Sequence, residues 1–167
     1  MNSAAPIPEP DTEHSLSGYS FTGPNVINVA VLSLLAAALH GGVTGAHFTE
    51  WIGYGIFFLF STMAQAFYGF IMLMRYWEAR EDSQNPDPRM TRKVPWERGY
   101  YQAGIWGNLA VIALYVASRT SGVPFFGPEA GQVEAWDFYG VVTTLLEVAM
   151  VFLLIGILKD LRSEQEA

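Results

Sequence analysis

Glu147 stands in the run 138–158, which carries no other formal charge. A carboxylate at that depth of a bilayer costs about 2.5–3.5 kcal/mol on insertion scales. The cost is tolerated when the group faces protein or water, is paired, or holds its proton. Gln65 and Asn108 lie at similar depth in two other apolar runs. Their amides can each donate to the carboxylate. The three side chains are expected to meet as a buried polar core, either a proton-handling or ligand site or an inter-helix hydrogen-bonded contact. A second set sits nearer one membrane face: His40, His47, Glu50 and Asp137, with Arg119 at the same level as an ion-pair partner. His47 and Glu50 are three residues apart and share a helix face. Two imidazoles with one or two carboxylates have the chemistry to ligate a transition metal, and a single histidine can hold a haem or pigment. The spacing is not diagnostic, since the chain has neither HxxxH nor HExxH. Interfacial histidines bonded to Glu50 are the plainer reading.

Other chemistries are missing. There is no cysteine, which removes disulfides, thiolate catalysis and Cys-held zinc or iron–sulfur clusters. No nucleophile–base pair, phosphate loop or dinucleotide fingerprint is present. Net charge is −7, with no basic stripe to neutralise phosphates, so nucleic acid is not an expected partner.

The elements that position these residues are apolar helices. Half the chain, 51%, is hydrophobic and only 15% is charged, well below the charged share of soluble domains. Four segments are expected to span: 26–43, 51–74, 99–118 and 138–158. About 20 residues are needed to cross the hydrocarbon. Gly41, Gly42 and Gly45 read as a turn between the first two spans, placing His47 and Glu50 at the head of the second with Tyr54, Ser61, Gln65 and Tyr68 on one face. Residues 1–24 have no Lys or Arg and carry Glu9, Asp11 and Glu13, so they read as a polar Pro-rich tail and not as a signal peptide. Residues 25–160 form the membrane domain and 161–167 a short tail.

Orientation follows from Lys and Arg. Arg75, Arg80, Arg89, Arg92, Lys93 and Arg98 cluster after the second span, and Lys159 and Arg162 follow the fourth. Only Arg119 lies elsewhere. The positive-inside rule then puts both termini in the cytoplasm. Trp77, Trp96, Tyr100 and Tyr101 are expected in the inner aromatic belt, and Trp51, Phe125, Phe126 and Trp136 in the outer one. Pro86, Pro88 and Pro95 break the middle loop. The segment 119–137, with Gly122, Pro124, Gly127, Pro128 and Gly131, is expected to form a lid over the outer end.

The pattern His47-x-x-Glu50-Trp51, Gln65, Asn108, Ser118-Arg119-Thr120-x-Gly122-x-Pro124, Gly127-Pro128, Asp137 and Glu147 resembles a loose group of small prokaryotic four-span membrane proteins. The resemblance implies the fold and carries no activity with it.

The expectation is therefore an all-α integral membrane four-helix bundle of the inner cell membrane, multi-pass and non-catalytic. Its partners are the lipid bilayer and other membrane subunits, as an accessory subunit of a respiratory or photosynthetic complex. The alternative is a stand-alone protein that binds a metal, haem or small ligand, or relays protons.

Overall fold

The computed structural model describes Phe21, residues 23–84 and residues 97–166. They form four helices and no strand: α1 (Pro24–Glu50), α2 (Ile52–Gln84), α3 (Glu97–Thr120) and α4 (Phe138–Glu166). Three of them, α1, α2 and α4, are long and apolar enough to cross a membrane. The chain is thus a multi-pass membrane protein whose outer surface meets lipid. The third expected span, α3, has the length but not the same apolarity. Gln102, Asn108, Ser118 and Arg119 dilute it.

The first turn of α1 starts at a proline, which suits a position with no intrahelical N–H partner. The expected turn at Gly41, Gly42 and Gly45 does not form. The helix continues through all three glycines to Glu50. Glycine is common in membrane helices, where the hydrogen-bonded backbone has no competing water and small residues let helices approach. A Cβ at Gly41 would stand only 3.3 Å from Thr62 of α2. The reversal is instead a single residue, Trp51, in extended conformation (φ −165°, ψ 136°). Consequently His47 and Glu50 belong to α1, not to the second span.

The α1–α2 hairpin is antiparallel and tight. Ser33 Oγ donates to the Gln65 carbonyl at 2.7 Å, and Gly69 lies against Ala30 and Leu34. The lower half of α4 packs on both α1 and α3. By contrast, α2 and α3 meet through long side chains. Tyr68 lies over Gly104, and the Arg75 guanidinium sits 5.7 Å from the Tyr100 ring centroid. A Cβ at Gly104 would fall 2.2 Å from the Tyr68 hydroxyl and 2.9 Å from Leu154. Gly104→Val is therefore expected to cost about 1–3 kcal/mol by overpacking. Thermal unfolding in mild detergent measures it, and an unchanged midpoint would refute this packing.

One end of the bundle is dry. Phe21, Val26, Val29, Met72, Tyr101 and Leu154 form the apolar cluster there. Tyr101, expected in the inner belt, is fully buried in that cluster, because Phe21 covers it (ring centroids 5.3 Å). Trp77 is half exposed on α2, which runs on to Gln84. Trp96, the three prolines of the middle loop, and Arg89, Arg92 and Lys93 lie outside the described residues. The other end of the bundle is hollow, and the polar residues line it.

Candidate functional site

Continuity of α1 sets the depth of its histidines. His40 and His47 are seven residues apart on one helix, so they share a face about 10 Å apart along the axis. The deeper one, His40, is buried and lies opposite Glu147 of α4. Its Nε2 is 3.0 Å from Glu147 Oε1. The same oxygen accepts a 2.8 Å bond from Gln65 Nε2 of α2. Glu147 is 1% exposed. Three helices thus converge on one carboxylate oxygen. The Ser33 bond to the Gln65 backbone holds α2 in register for it. Thr44 Oγ1 bonds back to the His40 carbonyl at 2.7 Å, across the Gly41–Gly42 pair.

Asn108 is not part of this junction. Its Nδ2 donates to the Gly104 carbonyl of its own helix at 2.7 Å. Its Oδ1, like Gln65 Oε1 and Tyr68 OH, is buried without a hydrogen-bond partner among the described residues. Membership of His40 replaces it, and gives Glu147 a cation-capable neighbour at its own depth that the expected outer position of His40 had excluded.

The outer residues separate into two units. His47 Nδ1 is 2.8 Å from Glu50 Oε2, and the imidazole stacks on Phe58 (centroids 3.9 Å, planes 7° apart). Phe58 also borders His40 at 5.6 Å. Asp137 caps α4 by accepting from Gly140 N–H at 2.7 Å, while its other oxygen accepts from Arg119 Nη2 at 2.9 Å. Arg119 Nη1 donates to Glu134, and its guanidinium lies 4.9 Å from the Tyr115 ring centroid. Among the described residues no three His, Asp or Glu side chains converge as metal ligands. His40, His47, Glu50 and Asp137 are therefore not gathered at one point.

They do share a cavity of about 510 Å³ between the four helices and the lid. Its floor is His40 and Glu147, with Thr143 and Thr144 of α4 beside them. Its walls include Tyr54, Phe57, Phe58 and Tyr115. Its mouth holds Glu50, Arg119, Glu129 and Glu134. Phe126 closes one side of the lid. Tyr54 OH donates to its carbonyl at 3.2 Å, and its ring meets Trp51, Tyr54 and Phe57 at 5.3–6.3 Å. Phe125 points away and is 87% exposed. That split is how two adjacent phenylalanines fit the turn. Gly127 has φ +88°, and a Cβ there would meet the Tyr54 hydroxyl at 2.4 Å, so only glycine lets the lid close on α2.

The aromatic wall was not foreseen among the site residues. Tyr54 and Phe58 are four apart on α2, and His40 and His47 seven apart on α1. That double periodicity was available once α1 was read through its glycines. No known family model, curated protein or solved structure matches the chain.

Proposed function

We propose that this is a non-catalytic, four-span protein of the inner cell membrane that binds a small ligand in the lidded cavity, above a proton-exchanging pair. In this reading α3 crosses beside the other three helices, and both termini face the cytoplasm. Arg75, Arg80, Arg98, Lys159 and Arg162 on one side, against Arg119 alone on the other, support that orientation.

The observation that carries the reading is the cavity floor. A carboxylate paired with an imidazole in the hydrocarbon zone is an expensive way to hold helices together, because Gln or Asn bonds across helices at lower cost. Placed at the bottom of a cavity, the pair can give up or take a proton as the contents change.

The chain lacks cysteine, so single-cysteine variants are clean probes. Thr144→Cys, on the cavity wall, is expected to react with a membrane-impermeant charged methanethiosulfonate in right-side-out vesicles. Leu145→Cys, 62% exposed and outside the cavity lining, is not. Reaction only in inside-out vesicles would reverse the orientation and leave the site. Failure of Thr144→Cys to react in either would sink the site.

Membership of a larger respiratory or photosynthetic complex is the second reading. Phe60, Trp106 and Phe152, each 71% exposed, give it a broad aromatic exterior to dock on. Acyl chains cover the same surface equally well. Native mass spectrometry from mild detergent separates the two, since a lone 18.5 kDa species would count against a complex.

A further inference from the structure

We propose that the cavity takes an organic cation, a quaternary or protonated amine, and that each cation entering displaces one proton from the His40–Glu147 pair. This rests on the lidded cavity being a ligand site, and it names the ligand class.

Three observations point the same way. First, both hydrogen bonds to Glu147 fall on Oε1. Neither of these bonds uses Oε2, on a side chain that is almost wholly buried and forms the floor. A carboxylate oxygen so placed is a ready partner for a cation. Second, the walls are ring faces and edges. Phe58, Tyr54, Phe57 and Tyr115 surround the space above the floor. Aromatic walls attract alkylammonium groups by about 0.5–2 kcal/mol each when desolvated. Third, the lining is acidic. Glu50, Glu129, Glu134, Asp137 and Glu147 face a single guanidinium, and Arg119 is already held by Glu134 and Asp137. An anion would meet this lining unfavourably. A bare metal ion wants several oxygens at one point, and the described carboxylates are spread from mouth to floor.

The proton follows from charge balance. A buried pair with net charge is costly, so His40 and Glu147 together hold one proton and are neutral as a unit. A cation arriving at Oε2 would make the site +1. Loss of that proton leaves neutral imidazole, carboxylate and cation, again neutral. No bond other than N–H or O–H breaks, and the proton leaves through the mouth to water. The titratable and charged groups facing the pair are few on each side. From α1 they are His47 and Glu50, and from α2 Tyr54. From α3 they are Tyr115 and Arg119. The lid side contributes Glu129, Glu134 and Asp137, and α4 itself Tyr139. Arg119 offsets only one of its two acids, so with Glu129 the mouth stays negative, while His47 offsets Glu50 when its imidazole is protonated.

The test uses the full-length protein with choline and its uncharged carbon isostere, 3,3-dimethylbutan-1-ol. Choline is expected to slow modification of Thr144→Cys at least about tenfold, and the isostere to leave the rate unchanged. Calorimetry of the wild-type chain in two buffers of different ionisation enthalpy should show about one proton released per choline. Its affinity should rise toward about tenfold per pH unit while the pair holds its proton. Glu147→Gln should abolish the proton release. Equal protection by both compounds, or choline binding without proton release in the wild type, overturns the cation proposal and leaves the cavity. So does a reactive Thr144→Cys that neither compound protects. An unreactive Thr144→Cys overturns the ligand site itself, and the proposal with it.

Discussion

His40→Leu will destabilise the protein by about 3–5 kcal/mol, more than any conservative change at Glu147, because it leaves a buried carboxyl facing an aliphatic side chain. Glu147 would retain only the Gln65 amide, 2.8 Å away on Oε1. Glu147→Gln keeps a hydrogen-bonding group of the same shape and removes the charge, so its cost should be near 1 kcal/mol. The informative variant is the double one. His40→Leu with Glu147→Leu removes both ionisable groups and should recover most of the loss, leaving about 1–3 kcal/mol for the orphaned Gln65 amide. Unfolding in mild detergent gives these three values and that of Glu147→Leu, the single variant that completes the cycle. Strong non-additivity is the signature of a coupled pair. Additive losses would mean that His40 and Glu147 act independently.

Phe21→Ala is expected to cost about 3–5 kcal/mol, comparable to emptying any core position. Phe21 lies before the first helix, in a stretch whose composition reads as tail. Yet it is 1% exposed, packs on Tyr101 at 5.3 Å and on Tyr100 at 6.4 Å, and joins the cluster of Val26, Val29, Met72 and Leu154. Phe125→Ala is the control. At 87% exposed, that ring should change stability by no more than about 0.5 kcal/mol. If both substitutions behave alike, Phe21 is not a member of the core.

The helices themselves were legible because each apolar run exceeds what a soluble helix shows. Their positions follow the run closely in α3, whereas α2 and α4 add polar extensions beyond Met74 and Leu158, the latter taking in most of the expected C-terminal tail. The convergence of α2 and α4 on Glu147 could be anticipated, because a buried carboxylate needs a donor and Gln65 lies at its depth. The His40 contact could not. It depended on whether Gly41, Gly42 and Gly45 break a helix or continue it, and glycine does the first in water and often the second in lipid. That one reading moved His47 and Glu50 to another helix and hid His40 at the wrong depth. Asn108 misled for a different reason. An amide on a helix can always turn back to the carbonyl four residues earlier, as it does to Gly104. Periodicity cannot tell that local bond from one across the bundle. The aromatic wall was obscured because rings in membrane helices are common on every face, so Phe58 and Phe60 look alike in sequence although one stacks on His47 and the other faces lipid.

Chain order gives the three-helix junction a role in biogenesis. A ribosome delivers His40 first, Gln65 next and Glu147 last. The α1–α2 hairpin, turned by Trp51 alone, can settle in the bilayer as a unit before the acidic helix leaves the translocon. When α4 emerges, the imidazole and the amide are already waiting at its level, so its carboxylate is met on arrival and never has to partition alone.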